Sequence, residues 1–478
     1  MLFNSLQFML FFPLVLALYF LLPPRVRWVM LLAGSCYFYM AFVPIYILIL
    51  FFTILVDYVA GLLIERAQGP RRQLFLCLSI AANVGVLALF KYFNFFNANL
   101  GALAQFLDWN YTMQPLAWVL PIGLSFHTFQ SLSYTIEVYR GKQRAERHLG
   151  LFALYVMYFP QLVAGPIERP QNLLHQLRET HHFDTLRLRN GLMLMLWGLF
   201  KKVVIADRLA IQVNEVFNHP GLYHGLPVVM ATYFFAFQIY CDFSGYSDIA
   251  RGAAECMGVR LMVNFRRPYF AASIAEFWSR WHISLSTWFR DYVYIPLGGN
   301  RVSAWRWVRN ALAVFLLSGL WHGANWTFVI WGSLHGLYLV IGRFTAPWRA
   351  RLWTVTGLAH WPSLRKWVGV LCTFHLVLVG WLFFRAATLA DVGVLWANAW
   401  RGPWRTAAWA GLGPEEFILA IASLFILISV HLLQRRWQLR SMLAHQPTWL
   451  RWSVAYGMIL GVVLLGEFRA QPFIYFQF

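Results

Sequence analysis

Charge is scarce in this chain, and acidic charge is scarcer still. Only 12% of the 478 residues are charged, and 19 Asp and Glu stand against 39 Lys and Arg, a formal net charge of +20. A soluble domain carries about 25% charged residues. With 60% hydrophobic residues, the composition excludes a soluble enzyme, a disordered chain and a collagen-like chain. Cysteine is also rare: Cys36, Cys77, Cys241, Cys256 and Cys372, with no C-x-x-C pair. That excludes a disulfide or zinc framework and leaves small buried hydrophobes. No H-E-x-x-H, Walker loop, Rossmann fingerprint or nucleophile elbow stands at a sensible place. No repeat of fixed period or low-complexity tract appears, which excludes a solenoid.

What is present is aromatic and apolar: 24 Trp, 21 Tyr and 42 Phe, distributed over long apolar runs. A transmembrane helix needs about 20 apolar residues. The expected spans are Leu6–Leu22, Trp28–Val43, Ile45–Ile64, Leu74–Phe96, Pro115–Val138, Leu149–Ile167, Gly191–Ile205, Leu226–Tyr240, Ala311–Val340, Trp367–Phe384, Phe417–Leu433 and Arg451–Leu465. The sequence thus predicts an all-α polytopic membrane protein, one domain over 1–478, with about a dozen transmembrane or re-entrant helices.

In such a chain the basic surplus reads as membrane topology and not as a nucleic-acid footprint. Arg66, Arg71 and Arg72 fill one loop, and Arg140, Lys142, Arg144 and Arg147 another; Asn97–Gln114 between them has no Lys or Arg. This is the alternation that positive-inside topology requires. No basic residue precedes Leu6–Leu22, and Pro23-Pro24-Arg25-Val26-Arg27 follows it. A retained first span is expected, not a cleaved signal. Arg25 and Arg27 then lie inside and the N-terminus outside. Arg435, Arg436 and Arg440 precede the last span, so the tail 467–478 is expected to be extracytoplasmic.

Residues 260–310 differ, with eight arginines and two acids among Trp and Phe. Ile274, Phe277, Trp278, Trp281, Leu285, Trp288, Phe289 and Tyr292 recur at helical spacing. They predict one amphipathic helix in or dipping into the interface, with His282 at the edge of its apolar face. An anionic-lipid contact explains the arginines but not His282.

Ionisable groups inside a membrane cost roughly 2.5–3.5 kcal/mol each, so each is a functional candidate. His322 is the sharpest. On a continuous helix Ser318 and Asn325 share its face and orient the ring. A neutral imidazole in an apolar site suits a general base, worth roughly 10²–10⁴-fold in rate. Gly319 and Gly323 leave room for a substrate or another helix. A packed core histidine is the alternative. His335, 13 residues on, faces about 140° away on the same helix, which argues against a two-histidine metal site. His127, His375 and His431 read as core residues. Asp57, Lys91 and Glu137 lie near span ends, where they snorkel. Asp242, Ser244, Tyr246, Ser247 and Asp248 suit a cavity wall, a broken helix, or a coupling-ion site.

Four stretches together resemble the membrane-bound O-acyltransferase family, in its bacterial branch that O-acetylates alginate. They are Phe159-Pro160-Gln161-Leu162-Val163-Ala164-Gly165-Pro166-Ile167, Asp242–Gly258, Asn264–Arg301 with Phe277-Trp278-Ser279-Arg280-Trp281-His282, and Leu317–Gly336 with Trp321-His322-Gly323. The resemblance implies a ring of helices around a locally thin centre with a cytoplasmic funnel. It places the catalytic histidine on His322 and a second, catalytic or positioning, histidine on His282. His282, or the indole of Trp278 or Trp281, would help hold the oxyanion, and Ser318, Asn325, Asp242 and Asp248 would line or position the funnel.

It further implies acetyl-CoA or another acyl thioester as donor substrate, with no bound cofactor or metal. Extracytoplasmic acetyltransferase partners and membrane lipid are implied as partners, no nucleic acid, and the bacterial inner membrane as location. The ending Phe473-Ile474-Tyr475-Phe476-Gln477-Phe478 is similar to a short aromatic ending of this branch. It is either an interfacial anchor or a tail whose Tyr475 relays the acyl group. Alternatives to alginate are cellulose, peptidoglycan or D-alanylation of teichoic acid. A transporter built on Asp242 and Asp248, or a non-catalytic scaffold, are the readings outside catalysis.

Overall fold

A computed structural model describes residues 1–402, 408–469 and 473–474. Among the described residues there is helix and turn and no strand. Seven helices among the described residues are long and apolar enough to cross a membrane: Pro44–Arg66, Pro70–Phe106, Leu226–Cys256, Trp326–Phe344, Pro362–Arg385, Pro414–Leu433 and Thr448–Leu465; Leu6–Leu21 is shorter. Their apolarity serves two environments. Thr448–Leu465 buries only Val462, as befits a helix wrapped in lipid. In Leu226–Cys256, 67% of the apolar window is buried, as befits a core helix. Cys241 and Cys256 are buried as expected, whereas Cys77 and Cys372 are exposed on apolar helices.

The chain forms two compact units, Met1–Met195 with Tyr246–Met262, and Leu196–Gly245 with Val263–Phe478. In the first, a polar cluster joins three helices. Ser79 Oγ donates to Asp57 Oδ1 at 2.6 Å, Asn83 Nδ2 donates to both Asp57 oxygens at 2.9 and 3.0 Å, and Ser79 Oγ reaches Thr135 Oγ1 at 3.2 Å. Asp57 therefore does not snorkel. It is fully buried, because interhelical donors replace the water it would otherwise seek. Glu137 is likewise buried and accepts from Gln171 Nε2 at 2.8 Å.

The Phe159–Ile167 motif is a buried run of turns and not the end of a span. The helix before it stops at Met157. Gly165 is packed so tightly that a Cβ there would lie 2.3 Å from Gln161 Cα.

In the second unit, two expected elements are broken. The span expected over Ala311–Val340 is a pair of helices, Ala304–His322 and Trp326–Phe344. Gly323 is extended, and Asn325 caps the second helix by accepting from Thr327 N at 3.1 Å. The amphipathic helix expected over 274–292 is Ile274–Trp278 and Ile283–Phe289, followed by a wider turn over Arg290–Tyr294. Apolar residues at helical spacing continue across the break at 279–282, so periodicity alone does not register it.

Candidate active site

The break at 279–282 places His282 in the left-handed region, φ 43°, a conformation that is uncommon and costly for a residue with a Cβ. Asn264 makes it tenable. Its backbone carbonyl accepts from Ile283 N at 2.9 Å, and its Oδ1 accepts from Ser284 N at 3.1 Å and Ser284 Oγ at 2.9 Å. The same Oδ1 lies 3.3 Å from His282 Nδ1. An amide oxygen only accepts, so Nδ1 carries the proton and Nε2 is the basic nitrogen. The ring is fully buried against Phe243, centroids 4.6 Å apart. Burial drives its pKa down to about 3, outweighing a backbone hydrogen bond that raises it. His282 is therefore a neutral imidazole.

His322 is the last residue of its helix and is 4% exposed. Its ring meets three aromatic rings, Trp321 at 4.8 Å, Trp331 at 4.9 Å and Phe384 at 5.2 Å. Trp321 also meets His282, at 6.0 Å and 66°. The two histidines singled out by sequence thus pack edge-on against one indole.

The helix break changes the expected company of His322. Asn325 is not on its helix face; it caps the next helix and donates from Nδ2 to Ala387 O at 2.9 Å. Ser318 does lie one turn before His322, buried on the same helix. His335 sits on the second helix, and Trp331 meets both histidines, 5.0 Å from His335 and 4.9 Å from His322. The 140° separation holds only for one continuous helix. Gly319 makes room for a helix: a Cβ there would lie 2.3 Å from Phe328 O. At Gly323 the neighbour is the Phe328 ring, at 2.1 Å.

Trp278 donates its indole N–H to His335 Nδ1 at 3.3 Å. Trp281 packs against Phe277 at 5.5 Å and Trp381 at 5.0 Å. Sequence reasoning missed a third indole. Trp331 is fully buried beside His322, and its Nε1 has no hydrogen-bond partner among the described residues. A buried donor left unsatisfied costs about 1–3 kcal/mol, and this one belongs to a ring packed on His322.

Asp242 and Asp248 each have an ion partner within their own unit. Lys202 Nζ lies 2.7 Å from Asp207 Oδ1 and 2.8 Å from Asp242 Oδ1. Asp242 Oδ2 accepts from Ile474 N at 2.7 Å. Asp248 pairs with Arg251 at 3.2 Å. Sequence reasoning missed Lys202, although it is an ionisable group inside the expected span Gly191–Ile205. Phe473 and Ile474 are buried, and Phe473 packs on Phe243, the ring that also meets His282. Tyr475 lies outside the described residues.

Residues 76–383 match the MBOAT, membrane-bound O-acyltransferase family. The chain is 43% identical over 409 residues to a probable alginate O-acetylase AlgI of Azotobacter vinelandii, covering 84% of this chain and 77% of the relative. It is 36% identical over 388 residues to a peptidoglycan O-acetyltransferase of Helicobacter pylori, covering 75% and 71%. It is 28% identical over 282 residues to a teichoic acid D-alanyltransferase of Bacillus subtilis, covering 55% and 68%. The chain belongs to the membrane-bound O-acyltransferase family and is a polytopic membrane O-acyltransferase.

Proposed function

We propose that the enzyme moves an acetyl group from a cytoplasmic thioester, such as acetyl-CoA, across the inner membrane for O-acetylation of exported alginate. The observation that carries this reading is the pair of buried histidines on one indole, in a chain that matches alginate O-acetylases over most of its length. His322 takes the proton of an acceptor hydroxyl as its oxygen attacks the thioester carbonyl. The carbonyl oxygen gains the negative charge, the C–O bond forms, and the C–S bond then breaks. The leaving thiolate recovers the proton from the imidazolium. The Trp331 N–H is the donor for the oxyanion, a role for which Trp278 is less suited because its N–H is already given to His335. His282, neutral and fixed by Asn264, positions or completes the site.

The tail is the acceptor side of this scheme. Phe473 on Phe243 and Ile474 N–H on Asp242 support it, since Tyr475 is the next residue. Its phenol accepts the acetyl group and passes it to extracytoplasmic acetyltransferase partners. Tyr475→Phe keeps an anchor and removes a relay, so loss of acetylation at normal abundance supports the relay. Peptidoglycan is the second acceptor, favoured by the Helicobacter pylori relative.

The test is mass spectrometry of ester-linked acyl groups on the exported polysaccharide, wild type against His322→Ala at matched membrane abundance. Loss of acetate supports the mechanism and names the acylated sugar. Equal acetate removes His322 from catalysis.

A further inference from the structure

A slot of about 200 Å³ opens in the second unit, lined by neither His282 nor His322. Tyr240, Tyr269, Phe270, Trp367, Phe374 and His431 line it, between Leu226–Cys256, Pro362–Arg385 and Pro414–Leu433. Its polar groups turn toward protein. Tyr269 OH donates to Ala236 O at 2.5 Å, and Tyr240 OH and His431 Nε2 are 3.1 Å apart. What remains is an aromatic and aliphatic wall.

The mouth is cationic. Arg267 lines the slot, and its buried Nη1 has no hydrogen-bond partner among the described residues. Arg435 lies 6.0 Å from the Phe270 ring and 5.5 Å from the Trp367 ring, both slot walls. Arg267's pKa is lowered by its burial first, then by the charges of Arg280 and Arg435. These cations are close enough to repel one another. Glu276 pairs with Arg280, but no carboxylate pairs with Arg267 or Arg435 among the described residues. No acid occurs between Pro362 and Ala390, or between Phe417 and Gly466. Arg365 and Lys366 near the start of one helix and Arg436 just after the other extend the basic end. By the positive-inside rule this end is cytoplasmic, and the cytoplasmic leaflet carries the anionic lipids that basic pockets between helices bind.

We infer that this slot binds one acyl chain of an anionic phospholipid of the inner leaflet, with its phosphate held by Arg267 and Arg435. The aromatic wall supplies apolar contact along the chain, and the guanidinium groups supply charge-assisted hydrogen bonds to phosphate. A zwitterionic lipid offers the same chain, but its head-group cation meets the same arginines.

Native mass spectrometry of the full-length protein decides this, with phosphatidylglycerol and phosphatidylcholine of identical chains as probes. Phosphatidylglycerol is expected to be retained at one tight site, at least ~10-fold in preference to phosphatidylcholine. Arg435→Gln, alone and with Arg267→Gln, removes the preference. Leu371→Trp, at an exposed position on the slot wall, fills the slot and lowers retention of both lipids. Arg435 is also exposed, so these two single variants keep the fold. Equal binding of the two lipids, or an unchanged preference in Arg435→Gln and the double variant, overturns the site. Displacement of phosphatidylglycerol by added coenzyme A also overturns it, since the slot would then belong to the thioester donor.

Discussion

Asn264 Oδ1 stands 3.3 Å from His282 Nδ1 and accepts two further hydrogen bonds from Ser284. One side-chain oxygen thereby sets the tautomer of an imidazole and caps the helix that begins after it. Asn264→Ala should lower kcat more than it alters the KM for the thioester, and it should reduce thermal stability by about 1–3 kcal/mol through the donors it orphans. Asn264→Asp separates positioning from packing. A carboxylate beside His282 favours the imidazolium and raises a pKa that burial holds near 3. The variant should gain an acidic limb in its pH–rate profile between about pH 5 and 7 where the wild type has none from His282. Identical profiles would show that the pair is only structural.

Trp331→Phe keeps the ring contact with His322 at 4.9 Å and deletes one N–H. Loss of one preorganised oxyanion donor costs about 10²–10³-fold in kcat. Trp278→Phe removes an N–H that His335 already accepts, so its effect should be on stability, with a smaller loss of kcat. Turnover of purified protein with a thioester donor and a soluble acceptor distinguishes the two. A Trp331→Phe enzyme within about threefold of wild type would move the oxyanion donor elsewhere.

The helical, membrane-spanning class was legible because long apolar runs and alternating loop charge have a single physical solution. His322 and His282 were legible as ionisable groups in apolar surroundings. Their environment was not, because it depends on two breaks that the sequence pattern does not register. The left-handed His282 interrupts apolar residues that continue at helical spacing, and Gly323 interrupts what reads as one apolar span. A single unbroken helix would make Asn325 a neighbour of His322 and turn His335 away. Asp57 illustrates a second reason. Position within a span suggests snorkelling, whereas Ser79, Asn83 and Thr135 come from other helices that only the fold assembles.

The Lys202–Asp242 ion pair, with Ile474 N–H on the other Asp242 oxygen, ties the tail to the core. Removing one member of a buried pair typically costs about 3–5 kcal/mol. Asp242→Ala should lower the melting temperature and release the tail. In a chain whose exposed Cys77 and Cys372 are replaced by Ser, a cysteine placed at the buried Ile474 should resist maleimide while Asp242 is kept and react in the Asp242→Ala background. Equal labelling in both would show that Asp242 does not hold the tail.

Gly319 and Gly332 set how closely the His322 helix and its successor approach. A Cβ at Gly319 would lie 2.3 Å from Phe328 O, and one at Gly332 would lie 2.3 Å from Phe315 O. Both obstacles are backbone, which cannot swing aside as a side-chain tip does. Each helix therefore needs a small residue where the other's backbone passes, as in other close membrane helix pairs. Gly319→Leu should force the pair apart and move His322 off the Trp331 ring. Activity should then fall by at least ~10², with a lower melting temperature in detergent. Gly342, near the end of the second helix, meets only the tip of Arg349 at 4.0 Å, so Gly342→Ala is the control and should keep both activity and stability. If Gly319→Leu matched that control, close helix approach would not be what holds His322 in place.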